Sequence, residues 1–397
     1  MTRNIAHLAL ILGLITAVGP FAIDIYLPAL PSLGTSLHAS PEAVQMSLVV
    51  FFIIQGLCQL FYGPLSDIYG RKPPIYAGLL IFAIGSIGCT LAPDIETLIV
   101  FRAVQAFGAC AGMVIPRAIA RDLYIGHESA RLMALLMLVV SISPILAPLT
   151  GSLIIEAWGW RAVFGVLAGV AMVCLVLAVT QLTETRAPEH RGESNWRSAF
   201  AAYRYLLADP VFSGLSLVGG FGIAAFSIFI GGGPFVYINH FGLTPTQFSV
   251  CFALNAASFF AFSQFTANLS ARFGLARVIH GAVTGFSIVM VLLALTTTLL
   301  DGGLVLMMSL LFIGFGFLGI VVPATAVLSM EDHGRMAGAA SALMGAIQMV
   351  TGAAALGVNS LFTQSSPETI AIAIALCAVS AWLVAWPTLR RVPVVPV

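Results

Sequence analysis

Two charges in this chain lie where charge is expensive. Asp24 sits inside Pro20-Phe-Ala-Ile-Asp-Ile-Tyr-Leu-Pro-Ala-Leu-Pro31, at the end of a long apolar run, and Arg102 sits in another apolar run that starts near Glu96. A charge at a bilayer centre costs about 2.5–3.5 kcal/mol on insertion scales and marks a functional position by default. A carboxyl group can take up and release a proton. Burial favours its neutral form and a neighbouring guanidinium favours its charged form, so the pair makes a proton site that conformation can tune. Arg102 would also organise Gln105, one turn along. The competing reading is a fixed ion pair fastening two helices, a poor use of two costly charges.

The elements that carry these residues follow from composition. The chain has 397 residues, of which 59% are hydrophobic and 8% charged, with a mean hydropathy of +1.03. Soluble domains carry roughly 25% charged residues, so this is an integral membrane protein. Charged and turn-rich breaks leave twelve apolar stretches over 5–30, 43–65, 74–92, 96–120, 131–156, 160–182, 211–236, 246–270, 277–300, 303–330, 336–361 and 369–388. Each is long enough to cross as a helix. No period-two alternation supports a barrel of strands. The run after Arg3 is too long for a signal peptide and holds Asp24, so it reads as a retained first span.

Arginine placement orients the helices. Arg71, Lys72, Arg121, Arg186, Arg191, Arg197, Arg204, Arg272 and Arg335 fall in alternate loops, with Arg3 and Arg390-Arg391 at the termini. Arg161 is the exception. The positive-inside rule then predicts cytoplasmic termini. In this frame Asp24 and Arg102 both lie roughly 9–10 Å below the outer boundary, counted at about 1.5 Å per helical residue. Matching depth predicts a shared water-accessible cavity and does not by itself require a direct pair.

A polar stretch at 183–209 reads as a cytoplasmic linker between two six-helix bundles, 1–182 and 210–397. Leu65-Ser-Asp-Ile-Tyr-Gly70 is echoed by Leu269-Ser-Ala-Arg-Phe-Gly274, about 204 residues on. Two parallel six-helix repeats are the architecture of a secondary transporter. Lys72, the only lysine, is followed by Pro73, which excludes a P-loop and ATP hydrolysis within the chain. The six cysteines show no metal or redox spacing. The histidines form no visible dyad or metal cluster. Neither filter loops nor rings of like charge, as in a channel, are present. Nor are the paired carboxylates of an intramembrane enzyme.

Longer motifs narrow the class. Gly63-Pro-Leu-Ser-Asp-Ile-Tyr-Gly-Arg-Lys72 resembles the loop signature of the major facilitator superfamily, with Ile68 where many members carry a basic residue. Arg102-Ala-Val-Gln-Ala-Phe-Gly108 resembles its fourth-span signature, with Ala106 for the first glycine. Ser143-Pro-Ile-Leu-Ala-Pro148-Leu-Thr-Gly151 resembles the fifth-span signature of proton antiporters. Within the superfamily, Ile23 to Pro31, Arg121-Asp-Leu-Tyr124, Trp160-Arg161 and Gly233-Pro-Phe-Val-Tyr-Ile238 resemble the Bcr/CflA branch of drug:proton antiporters, the bicyclomycin and chloramphenicol resistance group.

The resemblance implies an all-α membrane protein of twelve helices in two pseudo-symmetric bundles. It implies a monomer in a bacterial inner membrane that exports small amphiphilic antibiotics against protons, with no cofactor beyond the proton gradient. Export of a metabolite such as an amino acid or purine is the alternative. Asp24 and Arg102 are the expected proton-coupling residues. Gly63, Asp67, Gly70 and Arg71 are the expected conformational latch, with both glycines supplying the tight turn and Asp67 docking near Arg335. Pro144, Pro148 and Gly151 are expected to bend the fifth span or let it pack closely. An adaptable apolar cavity with few polar anchors is expected for the substrate, with Tyr26, Gln55, Gln105, Phe235, Tyr237, Asn255, Phe259 and Gln348 as candidates. Aromatic belts at span ends are the competing account of Tyr237.

Overall fold

A computed structural model describes residues 5–124, 126–186, 188–191, 196–300, 302–362 and 366–392. Arg3, Glu193 and Asp301 lie outside them, as does the side chain of Arg335. Twelve helical segments are long and apolar enough to cross a membrane, and no strand occurs among the described residues. Spans 1 to 6 are Ile5–Ser36, Pro41–Tyr69, Lys72–Leu91, Ile95–Leu123, Gly126–Trp158 and Trp160–Gln181. Spans 7 to 12 are Pro210–His240, Pro245–Phe273, Leu275–Leu299, Leu304–Gly334, Ala337–Ser360 and Pro367–Leu389. Each coincides with an apolar run, since a backbone in hydrocarbon must bond internally and a helix does so within one segment.

The chain forms two compact units, one of residues 1–39 and 50–201 and the other of 40–49 and 202–397. In the first, spans 3 and 4 pack together, span 6 packs on span 3, and span 1 packs on spans 4, 5 and 6. The second repeats this six spans later: 9 with 10, 12 on 9, and 7 with 10, 11 and 12. The repeat read from the two loop motifs is also visible in the backbone. Gly70 and Gly274 hold φ of +92° and +81° after spans 2 and 8. A side chain at such a φ is strained, so glycine is the residue that turns the chain there.

Gly63 departs from the expectation that it shapes this turn. It lies inside the helix Pro41–Tyr69, together with Pro64, and an added Cβ would meet open space. Proline can sit within a membrane helix when neighbouring groups re-satisfy the freed backbone, so the helix continues to Tyr69 and Gly70 alone makes the turn.

Candidate functional site

Span 1 is interrupted at Asp24. The α-helix Ile5–Asp24 gives way to a 3₁₀ turn at Leu27–Ala29 and resumes at Leu30–Ser36. Proline has no N–H, so Pro28 cannot bond back to the Asp24 carbonyl and Pro31 cannot bond back to that of Leu27. Leu30 N–H donates to Leu27 O instead. The helix resumes past Pro31, so Asp24 lies deeper in the span than a count from Pro31 gives. Its side chain is buried, with 4% exposure.

Arg102 of span 4 is fully buried at the same level. One of its terminal nitrogens donates to Ala22 O at 3.0 Å and to Gln105 Oε1 at 2.5 Å, and the other donates to Tyr26 Oη at 3.4 Å. The guanidinium also lies over the rings of Tyr26 and Phe51, 4.5 and 4.2 Å from their centroids. Gln105 passes the network on, donating to Ser86 Oγ at 2.7 Å. Every partner of Arg102 here is neutral. Among the described residues Asp24 forms neither an ion pair nor a hydrogen bond, so the fixed ion pair weighed from sequence is absent. Expected residues Arg102, Tyr26 and Gln105 meet in one cluster, and Asp24 shares the broken span with its members Ala22 and Tyr26 without bonding to any of them. Phe51, Phe164, which packs on Tyr26 at 5.5 Å, and Ser86 also belong to it. Apolar rings and a serine carry no periodic signal that separates them from ordinary packing.

Two flanking features shape this cluster. A Cβ on Gly151 of span 5 would collide with the carbonyl oxygen of Ile25, so glycine lets span 5 lie directly against the break. Pro144 and Pro148 lie inside the same helix. Gln55 of span 2 is buried near Gly19 and places its amide nitrogen 2.8 Å from Met113 Sδ, while its Oε1 has no partner.

The second unit holds the remaining candidates. Tyr237 is fully buried in a π-helical turn, Phe235–His240, and is therefore not an interfacial belt residue. Its ring packs against Phe229, Phe241 and Phe248. Phe259 stacks on Phe226, which joins Phe229, Phe252 and Phe315 in one aromatic cluster. Asn255 is buried against Tyr237 with no well-formed hydrogen bond to its amide, and Gln348 Nε2 is buried without a partner in the neighbourhood of Gly219 and Thr325. Phe235 is buried at the end of the span 7 helix.

At the other end of the first unit, Arg71 is gripped from several sides. It bonds Asp67 and Asp122 at 2.7 Å each and Ser66 Oγ at 2.7 Å. Burial acts to lower the pKa of its guanidinium, but Asp122 and Asp67 together outweigh this and hold it above the usual arginine value. Glu184, just past span 6, accepts from the backbone N–H of Arg71 at 2.8 Å and of Lys72 at 3.2 Å. Burial acts to raise the Glu184 carboxyl, but these bonds, with those from Arg186 and Thr185, outweigh it and hold it below the ordinary range. Asp122 and Glu184 were not legible as partners of Arg71, because neither is near it in sequence. In the second unit Asp209 plays a related part, accepting from Val211 N–H and bonding His333 at 2.8 Å.

Two six-helix repeats, a broken first helix and a buried unpaired carboxyl define the class as a secondary membrane transporter. Residues 12–358 match the family model of the Major Facilitator Superfamily, and the chain belongs to that family. It is 34% identical to the uncharacterized MFS-type transporter YdgK of Bacillus subtilis, over 87% of this chain and 86% of the relative. It is 29% identical to a bicyclomycin resistance protein homolog of Haemophilus influenzae, over 87% and 86%. It is also 29% identical to multidrug resistance protein D of Escherichia coli, over 94% and 93%. Its fold is similar to that of a bacterial homolog of the human lysosomal transporter Spinster, with a TM-score of 0.76 at 16% identity over 98% of both chains.

Proposed function

We propose that this transporter exports small amphiphilic antibiotics, of the chloramphenicol or bicyclomycin kind, in exchange for protons. The carrying observation is Asp24: a buried carboxyl at a helix break, without an ion pair among the described residues, in the same span whose Ala22 carbonyl and Tyr26 hydroxyl hold Arg102. A buried carboxylate with no partner is costly, and a proton relieves that cost. Asp24 takes its proton from the outer side and gives it up to the inner side as access alternates. Arg102 holds the broken span in register through Ala22 and Tyr26 and sets the local potential. The drug occupies an apolar, aromatic-lined surface with few polar anchors, for which Tyr237, Asn255, Phe259 and Gln348 are the second unit's contributors.

Relatives named for bicyclomycin and multidrug resistance support the substrate class. The arginine distribution supports an orientation with both termini cytoplasmic. The Arg71 cluster joins the turn after span 2 to the ends of spans 4 and 6, and its making and breaking would accompany the change of access. Everted vesicles energised with an inward-acid gradient test the reading. Wild type should accumulate chloramphenicol uphill, and Asp24→Asn should not. Uphill accumulation by Asp24→Asn at the wild-type rate would sink it.

A further inference from the structure

Spans 11 and 12 each pack closely along span 7 but hardly touch one another over their length. A furrow of about 610 Å³ is left between them, in the range of small-molecule sites. Phe221 and Ile228 of span 7 contribute to its lining, and small side chains, Ala354, Ala355 and Ala373, keep it open. Its rim residues Val358, Phe362, Ile372 and Leu376 are large, apolar and exposed. In a membrane-spanning chain such a rim faces lipid.

One polar group breaks this apolar surface. Asn359 lines the furrow and is only 5% exposed, yet its side-chain amide bonds to no described residue. Thr351 and Thr369, the other polar lining residues, already bond to Ile347 O and Ser366. The amide opens onto this apolar furrow, and an unpaired amide facing hydrocarbon costs about 1–3 kcal/mol, which a ligand carbonyl would recover. Asn359 also lies at the very end of span 11, at the depth where hydrocarbon meets headgroups. From there the furrow follows span 11 back to Thr351, about 12 Å at the helical rise. That is roughly half of a 30 Å hydrocarbon core, the depth of one leaflet.

We infer that the furrow between spans 11 and 12 is a phospholipid site: one acyl chain lies along Ala354, Ala355 and Ala373, and its ester carbonyl accepts a hydrogen bond from Asn359. On the orientation proposed above, the lipid belongs to the outer leaflet. The length of the furrow, its lipid-facing rim and a single donor at the ester depth favour a lipid over an exported drug.

The test uses the full-length protein in nanodiscs containing phosphatidylethanolamine with a diazirine in mid-chain, and maps crosslinks by peptide mass spectrometry. Labels should concentrate on 351–362 and 369–377. They should fall several-fold in Ala355→Trp and in Ala373→Leu, two independent ways of filling the furrow. Asn359→Leu should remove a preference for ester over ether lipid of about fivefold, the size of one ordinary hydrogen bond. Three results would overturn the inference. One is labelling spread evenly over lipid-facing positions such as Leu80 and Val305. Another is unchanged labelling in filling variants that keep the wild-type Tm. The third is displacement of the lipid by chloramphenicol, which would make the furrow a drug site.

Discussion

Lysine at position 102 would keep the charge and lose the fork that the structure uses. Arg102 donates from one nitrogen to both Ala22 O and Gln105 Oε1, and its plane lies over Tyr26 and Phe51. Hydrogen bonds from a charged donor contribute about 1.5–3 kcal/mol each, and a guanidinium over an aromatic face about 0.5–2. An ammonium can keep one of the bonds and part of the ring contact, so Arg102→Lys should cost about 2–4 kcal/mol. Reversible unfolding in detergent, followed by circular dichroism, measures this cost, and two double-mutant cycles apportion it. Arg102→Lys with Gln105→Leu should show a coupling of about 1.5–3 kcal/mol, since the two side chains share a direct charged bond. Arg102→Lys with Asp24→Asn should be additive within about 0.5 kcal/mol, since the guanidinium's partners are neutral. The reasoning fails if the Gln105 pair is additive, or if the Asp24 pair couples by more than about 1.5 kcal/mol.

Other consequences follow from close contacts and from pH. Gly151→Leu drives a side chain into the Ile25 carbonyl, so it should cost at least about 1–3 kcal/mol and slow transport, read from Tm and export rate. Gly70→Ala should destabilise more than Gly274→Ala. Both strain a positive φ, but only at Gly70 would the Cβ also approach Glu184, at 2.6 Å, and a comparison of the two Tm values decides it. Glu184→Ala removes the acceptor for the Arg71 and Lys72 backbones and should cost about 1–3 kcal/mol at neutral pH. Because the folded state holds this carboxyl below its ordinary value, its contribution is complete above about pH 4.3 and is lost as pH falls through the folded value. Stability of Glu184→Ala should therefore fall less steeply than wild type between pH 5 and pH 3, roughly the window of carboxylate titration.

The spans were legible because hydrocarbon admits few backbone solutions, and a continuous apolar run names the simplest of them. Asp24 and Arg102 were legible for the same reason: against such a background a charge stands out, and counting residues brings the two to one level. Their relation was not. Whether a guanidinium meets the carboxylate or a backbone carbonyl two residues away depends on helix rotation and on the break that Pro28 makes. Gly63 was misplaced because a glycine–proline pair reads as a turn in water, whereas Pro41–Tyr69 runs straight through it. Tyr237 reads from sequence as a substrate candidate or as a belt residue at a span end, and the π-turn at Phe235–His240 carries it into the aromatic cluster. The phenylalanines of that cluster, and the Asp122 and Glu184 contacts to Arg71, join distant parts of the chain. One sequence without its fold gives no sign of such partners.

The central claim is that Asp24 exchanges the proton that drives export. Purified protein in weakly buffered detergent, mixed with chloramphenicol and followed by a pH-sensitive dye, tests it directly. If proton and drug compete for the carrier, wild type should release about one proton per bound drug, and Asp24→Asn should release none while still binding drug by equilibrium dialysis. Undiminished proton release from Asp24→Asn would place the exchangeable proton elsewhere and contradict the account.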